Sequence, residues 1–292
     1  MTAHGVGEKV GHKMDNRAIG YFDSGVGGLT VVKQALHQLP NEQIKYVGDT
    51  ARMPYGPRTS EELKQFAMES ADFLVGEDIK LLVIACNTAT AQALPMLQEK
   101  LDIPVVGVIH PGIQAALEAT ADNKIGVIAT EGTVNSNAYY NGLLAIQPHV
   151  TVAQLATPEL VQIAEHKDLN AVETHNQIKE VVAPLVNSGI DTLVMGCTHF
   201  PLMADSLQRI FGDDVTLVDA GAEAVNTVEK ILDAKSARHE IIPMVDHTED
   251  EYFTTGDVTS FAEMGTKWLG LPINVSQLMI NADGLEKVNI HE

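Results

Sequence analysis

Short apolar runs alternate with longer amphipathic stretches along most of the chain. Most runs are rich in Val, Ile and Leu and end near glycine or a small polar residue, as buried strands of a parallel sheet do. They predict strands at residues 17–22, 44–48, 80–85, 104–108, 124–129, 150–156, 191–195 and 215–218. Strands that alternate with helices predict an α/β protein, with a mostly parallel sheet and helices on both of its faces.

The clearest helix signal follows the second predicted strand. Thr59 precedes Glu62 by three residues, which is the spacing of a capping box at a helix N-terminus. Apolar residues then recur at helical spacing, at Leu63, Phe66, Ala67 and Phe73. We therefore expect a helix that begins near Thr59 and ends near Gly76.

The region after Pro243 predicts one further unit. Residues 252–257 have the pattern of a strand and a turn. A helix is expected next, with an apolar face formed by Phe261, Met264, Trp268 and Leu269. We expect this last strand and helix to pack back on one half of the protein.

A weak internal repeat divides the chain into two halves. Segment 19–25 resembles segment 125–133. Cys86 and Cys197 also follow similar apolar runs, and the two cysteines are nearly as far apart in the sequence as the two segments are. Ser24 would then match Thr130, and the two thiols would match each other. Short apolar strands also resemble one another by chance, but both matches here end at side chains capable of catalysis. The repeat predicts a ligand between the halves, near a pseudo-twofold axis.

The composition argues against several classes of function. The chain has 292 residues, enough for two domains, and its 45% apolar content is ordinary for a globular protein. Its 19 basic and 39 acidic residues give a net charge of −20, which argues against nucleic acid or an anionic membrane as a partner. No stretch approaches the roughly 20 apolar residues of a membrane helix. Residues 1–13 lack the apolar core of a secretory signal, so we expect none.

Cysteine and histidine usage narrows the chemistry further. Two cysteines are too few for a disulfide scaffold, although a single Cys86–Cys197 bridge stays open, and the expected lack of a secretory signal indicates a reducing cytoplasm. The sequence contains no CxxC, and its 11 histidines show no HExxH spacing, so we expect no metal site.

The two thiols are the strongest candidates for catalysis. Cys86 and Cys197 each follow a predicted buried strand and precede small polar residues, which places them at the sheet edge where α/β proteins bind ligands. A following helix N-terminus is expected to favour the thiolate. A lone cysteine is more often a small buried side chain than a nucleophile. Two matched thiols that face each other, however, could remove and deliver a proton on opposite faces of one carbon, without a cofactor.

Two loops beside the thiols are candidate binding elements. The glycine-rich segment 23–29 follows the first strand and offers backbone N–H groups to an anion, but its spacing is not that of a dinucleotide or P-loop motif. Asp23 at its start could accept a proton, hold an ammonium group or cap the next helix. The segment 49–56 follows the second strand, and its Pro54, Tyr55 and Gly56 form either a shaped binding loop or an ordinary turn.

Four motifs, taken together, resemble one known family. They are Asp23-Ser24-Gly25-Val26-Gly27-Gly28-Leu29, Pro54-Tyr55-Gly56, Ala85-Cys86-Asn87-Thr88-Ala89 and Gly196-Cys197-Thr198-His199-Phe200-Pro201-Leu202. The sequence resembles the cofactor-independent glutamate racemases of the aspartate/glutamate racemase superfamily, from about Met14 to about Gly270. One departure is Met53, where many relatives carry cysteine; because the position is not catalytic in the family, we expect no effect.

The resemblance implies roles for individual residues. Cys86 is expected to take the α-proton from D-glutamate with support from Asp23, and Cys197 to take it from L-glutamate with support from His199. Glu165 matches an acidic residue that relatives place near this histidine. The substrate-contacting positions implied by the resemblance are Asp23, Ser24, Tyr55, Gly56, Asn87, Thr88, Thr130, Thr133, Thr198 and His199. No metal and no other cofactor are implied.

The resemblance also implies an architecture and a setting. The fold is two flavodoxin-like, doubly wound parallel-sheet domains related by pseudo-twofold symmetry, with the active site in the cleft between them. The first domain is expected at residues 14–108 plus 219–280 and the second at 109–218, after an N-terminal arm at 1–13 that is expected to be disordered. The expected substrate is glutamate, and the expected assembly is a homodimer in the cytoplasm that supplies D-glutamate for peptidoglycan. We expect neither nucleic acid nor a membrane as a partner.

Three alternatives stay open from the sequence. A racemase of the same superfamily could act on aspartate or another amino acid. A non-catalytic α/β binding protein would leave the paired thiols unexplained. A cysteine hydrolase with His199 as base would need only one thiol, and a base two residues from Cys197 on a turn has poor geometry for that pairing.

Overall fold

The computed structural model describes residues 14–241 and 247–288, so the predicted arm at 1–13 lies outside the described residues. The described part of the chain forms strands β1 to β11 and α-helices α1 to α11. The strands are, in order, Ile19–Asp23, Ile44–Gly48, Leu81–Ile84, Val105–Gly107, Lys124–Ala129, Thr151–Ala156, Thr192–Gly196, Thr216–Asp219, Glu251–Thr254, Val275–Asn281 and Gly284–Lys287. The helices are, in order, Leu29–Gln38, Ser60–Gly76, Asn87–Lys100, Ile109–Ala119, Glu131–Asn135, Ala138–Ile146, Glu159–His166, Val172–Val186, Ala204–Phe211, Ala220–Lys235 and Val258–Leu269.

The strands form two sheets that repeat one topology. The first sheet has the order β11-β10-β9-β2-β1-β3-β4, and the second has the order β6-β5-β7-β8. The stretch β2-β1-β3-β4 of the first sheet therefore matches the whole second sheet, strand for strand. Gly20 of β1 and Gly126 of β5 hold equivalent places, because a Cβ on either would lie 2.5 Å from Cδ1 of an isoleucine, Ile79 or Ile190. The internal repeat of the sequence thus corresponds to a repeat of the fold.

Helices cover both faces of each sheet, so the doubly wound architecture is confirmed. Successive residues of β1 point to opposite faces: Tyr21 belongs to one buried apolar cluster and Phe22 to another. The second sheet is likewise enclosed, with Ile128 of β5 in one cluster and Val127 in the other. Burial on both faces explains why the strands are continuous apolar runs rather than alternating ones.

Two helices cross between the halves. Helix α4 follows the first sheet's strand β4, yet its Ile109 and Ile113 pack into the core of the second sheet. Helix α10 follows the second sheet's strand β8, and its Ala224 and Val228 pack into the core of the first sheet. The predicted domain boundaries near residues 108 and 219 fall at the starts of these crossing helices and stay a prediction.

The C-terminal region differs from the expectation of one last strand and helix. Strand β9 and helix α11 are present as predicted, but β10 and β11 extend the first sheet as a hairpin. The pair β10–β11 is antiparallel, so the first sheet is not wholly parallel. At this sheet edge Leu278 is buried whereas Met279 is half exposed. The mixed apolar and polar pattern of this hairpin is weaker than that of a buried strand, so the sequence does not predict it.

The predicted capping box is confirmed. The Thr59 hydroxyl accepts the Glu62 N–H at 3.2 Å, and the Glu62 carboxylate accepts the Thr59 N–H at 2.9 Å. Helix α2 begins at the next residue, Ser60, and ends at Gly76. Within the described ranges, no helix is both long and apolar enough to cross a membrane.

Candidate active site

The two thiols meet in one cavity between the halves. Cys86 follows β3 of the first sheet and Cys197 follows β7 of the second, each at the carboxyl end of its strand. Both are free thiols, 5% and 7% exposed respectively, and both line the same cavity. The predicted site residues that also line it are Asp23, Ser24, Tyr55, Gly56, Asn87, Thr88, Thr130, Thr198 and His199.

Cys86 occupies the N-cap position of α3, where its sulfur accepts the Ala89 N–H at 3.5 Å. The sequence predicts that this helix terminus favours a thiolate. Burial instead raises the pKa of the Cys86 thiol well above its usual value, and the charge of Asp23 raises it further. The helix N–H groups act in the expected direction, but they are outweighed because the sulfur is almost fully removed from water.

Asp23 ends β1 and is buried beside the glycine-rich loop. Its Oδ2 accepts the N–H of Gly28 at 2.8 Å and that of Gly25 at 3.4 Å, so one oxygen organises the loop before α1. Its Oδ1 is buried and has no hydrogen-bond partner among the described residues. Burial raises the pKa of Asp23, although the nearby His199 lowers it in part. An unsatisfied carboxylate oxygen in this position is suited to accept a proton or an ammonium N–H.

Cys197 has a different partner set. Its sulfur lies 3.8 Å from Nδ1 of His199, and Nε2 of the same ring lies 2.8 Å from Oε1 of Glu165 on α7. Burial lowers the pKa of His199, but the hydrogen bonds and charges of Cys197 and Glu165 outweigh it and raise that pKa to about 10. The ring is therefore an imidazolium at neutral pH, held between sulfur and carboxylate.

The turn after Cys197 places this imidazolium. The helix predicted after this thiol begins as a 3₁₀ helix at Phe200–Met203 and continues as α9. The His199 ring meets Trp268 of α11 edge to face, with centroids 5.6 Å apart and planes at 87°. A Cβ on Gly27 would lie 2.4 Å from Cε1 of His199, so only glycine allows the first half to approach so closely.

Three threonines join the halves: Thr88 and Thr130 line the cavity, whereas Thr133, a predicted substrate contact, is fully buried and is not one of its lining residues. The hydroxyls of Thr88 and Thr130 lie 2.9 Å apart, and each lies 3.1 Å from the hydroxyl of Thr133. Thr88 belongs to the helix after β3, whereas Thr130 is the N-cap of α5 after β5 and Thr133 lies on α5 itself. These hydroxyls can redirect their protons toward a bound carboxylate, and their substrate role stays a prediction.

The segment 49–56 forms another wall, held from behind. The Tyr55 hydroxyl donates to Oδ2 of the fully buried Asp49 at 2.5 Å, and Arg52 Nε donates to the same oxygen at 2.7 Å. Thr255, just after β9, donates to the other Asp49 oxygen at 2.8 Å. Because the Tyr55 hydroxyl donates its hydrogen bond to Asp49, Tyr55 can contact a substrate only through its backbone or its ring. Met53, which we expected to have no effect, lines the cavity.

Sequence reasoning missed several residues that support the site. Asp49 had a signal, because it is a polar residue at the carboxyl end of a predicted strand. Tyr139 lies in a mostly apolar helix and Trp268 on an amphipathic one, and neither pattern distinguishes a supporting residue from ordinary core. Their contacts with Asn87 and His199 arise only from the tertiary fold.

The site holds the elements of a two-sided acid–base reaction. Two thiols from equivalent turns line one cavity, and each has its own polar partner, Asp23 for Cys86 and His199 for Cys197. Hydroxyl-bearing residues line the same cavity, namely Ser24, Thr88, Thr130 and Thr198. In the described ranges, no group of three His, Cys, Asp or Glu side chains is placed to hold a metal ion.

Comparisons with known proteins agree on one family. The sequence model of the family described as Asp/Glu/Hydantoin racemase matches residues 24–228. A glutamate racemase of Lactiplantibacillus plantarum is 48% identical over 258 residues, covering 88% of this chain and 94% of that protein. The crystal structure of a glutamate racemase isoform from Bacillus anthracis matches with a TM-score of 0.86 at 40% identity, covering 92% of this chain and 99% of that one. A Francisella tularensis glutamate racemase in complex with D-glutamate matches with a TM-score of 0.81 at 33% identity, covering 92% of this chain and 99% of that one.

Proposed function

This chain belongs to the Asp/Glu/hydantoin racemase family, and we propose on that premise that it interconverts L- and D-glutamate. The observation that carries the proposal is the pair of thiols, Cys86 and Cys197, which come from equivalent turns of two related halves and line one small cavity. Inversion at a carbon needs a base on one face and an acid on the other. Two opposed thiols meet that need without a cofactor.

Each direction uses the thiols in opposite roles. With L-glutamate, the Cys197 thiolate takes the α-proton while the Cys86 thiol gives its own proton to the opposite face. The product is D-glutamate, with Cys197 as a thiol and Cys86 as a thiolate. With D-glutamate the same transfers run in reverse, so protons are conserved in both directions.

The partners of the thiols support this division. Burial and the charge of Asp23 hold the pKa of Cys86 high, which keeps Cys86 a proton donor when L-glutamate binds. The imidazolium of His199, 3.8 Å from Cys197, stabilises that sulfur when it carries a negative charge. Glu165 in turn holds the imidazole ring charged and oriented.

The cavity wall suits an amino-acid dicarboxylate. Negative charge develops on the α-carbon and its carboxylate during proton removal, and hydroxyls and backbone N–H groups fixed around a dry site stabilise it. Thr88 and Thr130 supply such hydroxyls, and Ser24 and Thr198 line the same cavity. The unsatisfied Oδ1 of Asp23 is suited to the substrate ammonium or to the Cys86 thiol.

The setting of the enzyme forms part of the proposal. D-Glutamate is a component of peptidoglycan, and we place the enzyme in the cytoplasm, where reduced thiols persist. We also propose a homodimer, by the resemblance to its family.

The test uses purified protein with L-glutamate in deuterated water and no added cofactor. We expect optical rotation to fall to zero while deuterium enters the α-position of the product. If optical rotation falls and deuterium enters the α-position with aspartate but not with glutamate, the protein is a related racemase that acts on aspartate. Tight glutamate binding with no α-exchange would overturn catalysis in favour of a binding protein.

A further inference from the structure

One buried tyrosine spans the space between the two thiol-bearing turns. Tyr139 lies on α6 of the second half and is fully buried in the apolar core behind the cavity. Its hydroxyl donates to Oδ1 of Asn87 at 2.7 Å, and Asn87 directly follows Cys86 in the first half. On the other side, a Cβ on Gly196 would lie 3.2 Å from Cε2 of Tyr139, and Gly196 directly precedes Cys197. The residue therefore touches the chain beside both thiols.

The surroundings of Tyr139 fix where its hydroxyl points. The ring packs against the backbone at Gly196, and a Cβ on Gly112 of α4 would lie 3.4 Å from the hydroxyl oxygen. Two glycines thus make room for the ring and its oxygen. Burial raises the pKa of Tyr139 far above its usual value, so the hydroxyl stays protonated and acts as a donor.

The bond to Tyr139 determines what Asn87 offers to the cavity. A side-chain amide has one oxygen that accepts and one nitrogen that donates two N–H groups. The Asn87 oxygen is used by Tyr139, and the side chain, 5% exposed, lines the cavity. The NH₂ group is then the part of the side chain left for a bound anion.

We propose that Tyr139 is a positioning residue: its hydroxyl holds the Asn87 amide with its N–H donors toward a substrate carboxylate, beside Cys86. This inference rests on the proposed glutamate racemisation. It assigns Tyr139 no contact with substrate, so Tyr139 acts only through Asn87.

The first experiment is a double-mutant cycle of Tyr139→Phe and Asn87→Ala, with Tyr140→Phe as the matched control. Tyr140 is the next residue on α6, but its side chain is 40% exposed. We expect Y139F to lower kcat/KM for glutamate about five- to tenfold, mainly through a higher KM, because one buried hydrogen bond is lost. In the N87A background, Y139F should change kcat/KM by less than about twofold. Y140F should match the wild type.

Two results would overturn the proposal. One is a Y139F enzyme with wild-type kcat/KM. The other is an equal loss from Y139F in the wild-type and N87A backgrounds, since Tyr139 would then act without Asn87. Thermal melting of each variant separates a loss of stability from a change in KM.

A second variant keeps the proposal testable if Y139F fails to fold. Asn87→Asp retains an oxygen that accepts from Tyr139 but has no N–H donors, so it should fold and lose about as much kcat/KM as N87A. An N87D enzyme within twofold of the wild type would show that the amide donors are not used, which contradicts the proposal. The wild type is measured first: inactivity there overturns the proposed racemase, whereas an active wild type with unaffected variants overturns only the role of Tyr139.

Discussion

Nε2 of His199 lies 2.8 Å from Oε1 of Glu165, and both side chains are only 6% exposed. The contact, together with Cys197, raises the pKa of His199 to about 10 against an ordinary value of 6.5. A buried imidazolium without this carboxylate would be costly. Cys197 and Glu165 together therefore determine the charge state of His199.

Replacement of Glu165 by Gln should move the alkaline limit of activity. Because the folded-state pKa of His199 is raised, its imidazolium contributes stability that is complete below about pH 6.5 and is lost as pH rises through about 10. We expect E165Q to lower this pKa and to shift the high-pH fall of kcat/KM to lower pH. The free energy of unfolding at pH 7 should fall by about 2 kcal/mol. Rate–pH profiles measure the shift in kcat/KM, and urea unfolding at several pH values measures the change in stability. An unchanged high-pH fall of kcat/KM in E165Q would contradict the role of Glu165 in raising the pKa of His199.

The alanine variants of the two cysteines should lose activity in different ways. In the proposed mechanism, Cys86→Ala leaves only the thiol that serves L-glutamate, and Cys197→Ala leaves only the one that serves D-glutamate. Both variants should lose racemisation, by at least about a thousandfold, because one proton transfer lacks its group. C86A is expected to retain slow α-deuterium exchange of L-glutamate only, and C197A of D-glutamate only, as read by NMR. Full turnover by either variant would falsify the two-thiol mechanism.

Gly27→Ala should disable the site through a steric conflict. The new Cβ would lie 2.3 Å from Oγ1 of Thr198 and 2.4 Å from Cε1 of His199, so the imidazole or the loop must move. A shift of about 1 Å in a catalytic group can cost about a hundredfold in rate, and we expect a loss of that order in kcat/KM. The control is Gly76→Ala at the end of α2, where a Cβ meets nothing within 4 Å. G76A should keep full activity. If G27A were as active as G76A, the close approach of Gly27 to His199 would be ruled out.

Tyr55→Phe should affect stability more than catalysis. Its hydroxyl donates to Asp49 at 2.5 Å rather than to the cavity, so its loss removes one buried hydrogen bond behind the loop. We expect the free energy of unfolding to fall by about 1 kcal/mol and KM for glutamate to change by less than about threefold. Asp49→Asn should cost more, because Arg52 and Thr255 use the same carboxylate. Steady-state kinetics with thermal melting separates the two effects; a KM raised tenfold or more in Y55F would show that the hydroxyl contacts substrate.

Most of the fold could be predicted because burial on both faces of a parallel sheet leaves a strong local signal. The apolar runs predicted the eight strands from β1 to β8, and the repeat of their pattern predicted two related halves with a thiol at the same point of each. The β10–β11 hairpin was missed because polar residues, among them Ser276, Gln277 and Asn281, break the apolar pattern of β10. The capping box at Thr59 was predicted because its two hydrogen bonds depend on residues three apart.

The sequence by itself determined which residues are able to do the chemistry: two thiols at strand ends, an aspartate at a glycine-rich turn, and a histidine beside the second thiol. Only the tertiary structure decided their charge states. Burial raises the pKa of Cys86 against the effect of its helix N-terminus, and Glu165, 34 residues from His199, keeps that ring charged. It also decided that Tyr139 reaches Asn87 and that Tyr55 faces Asp49. Local patterns report on hydrogen bonds and burial within one element, whereas solvation and long-range contacts exist only once the two halves close on each other.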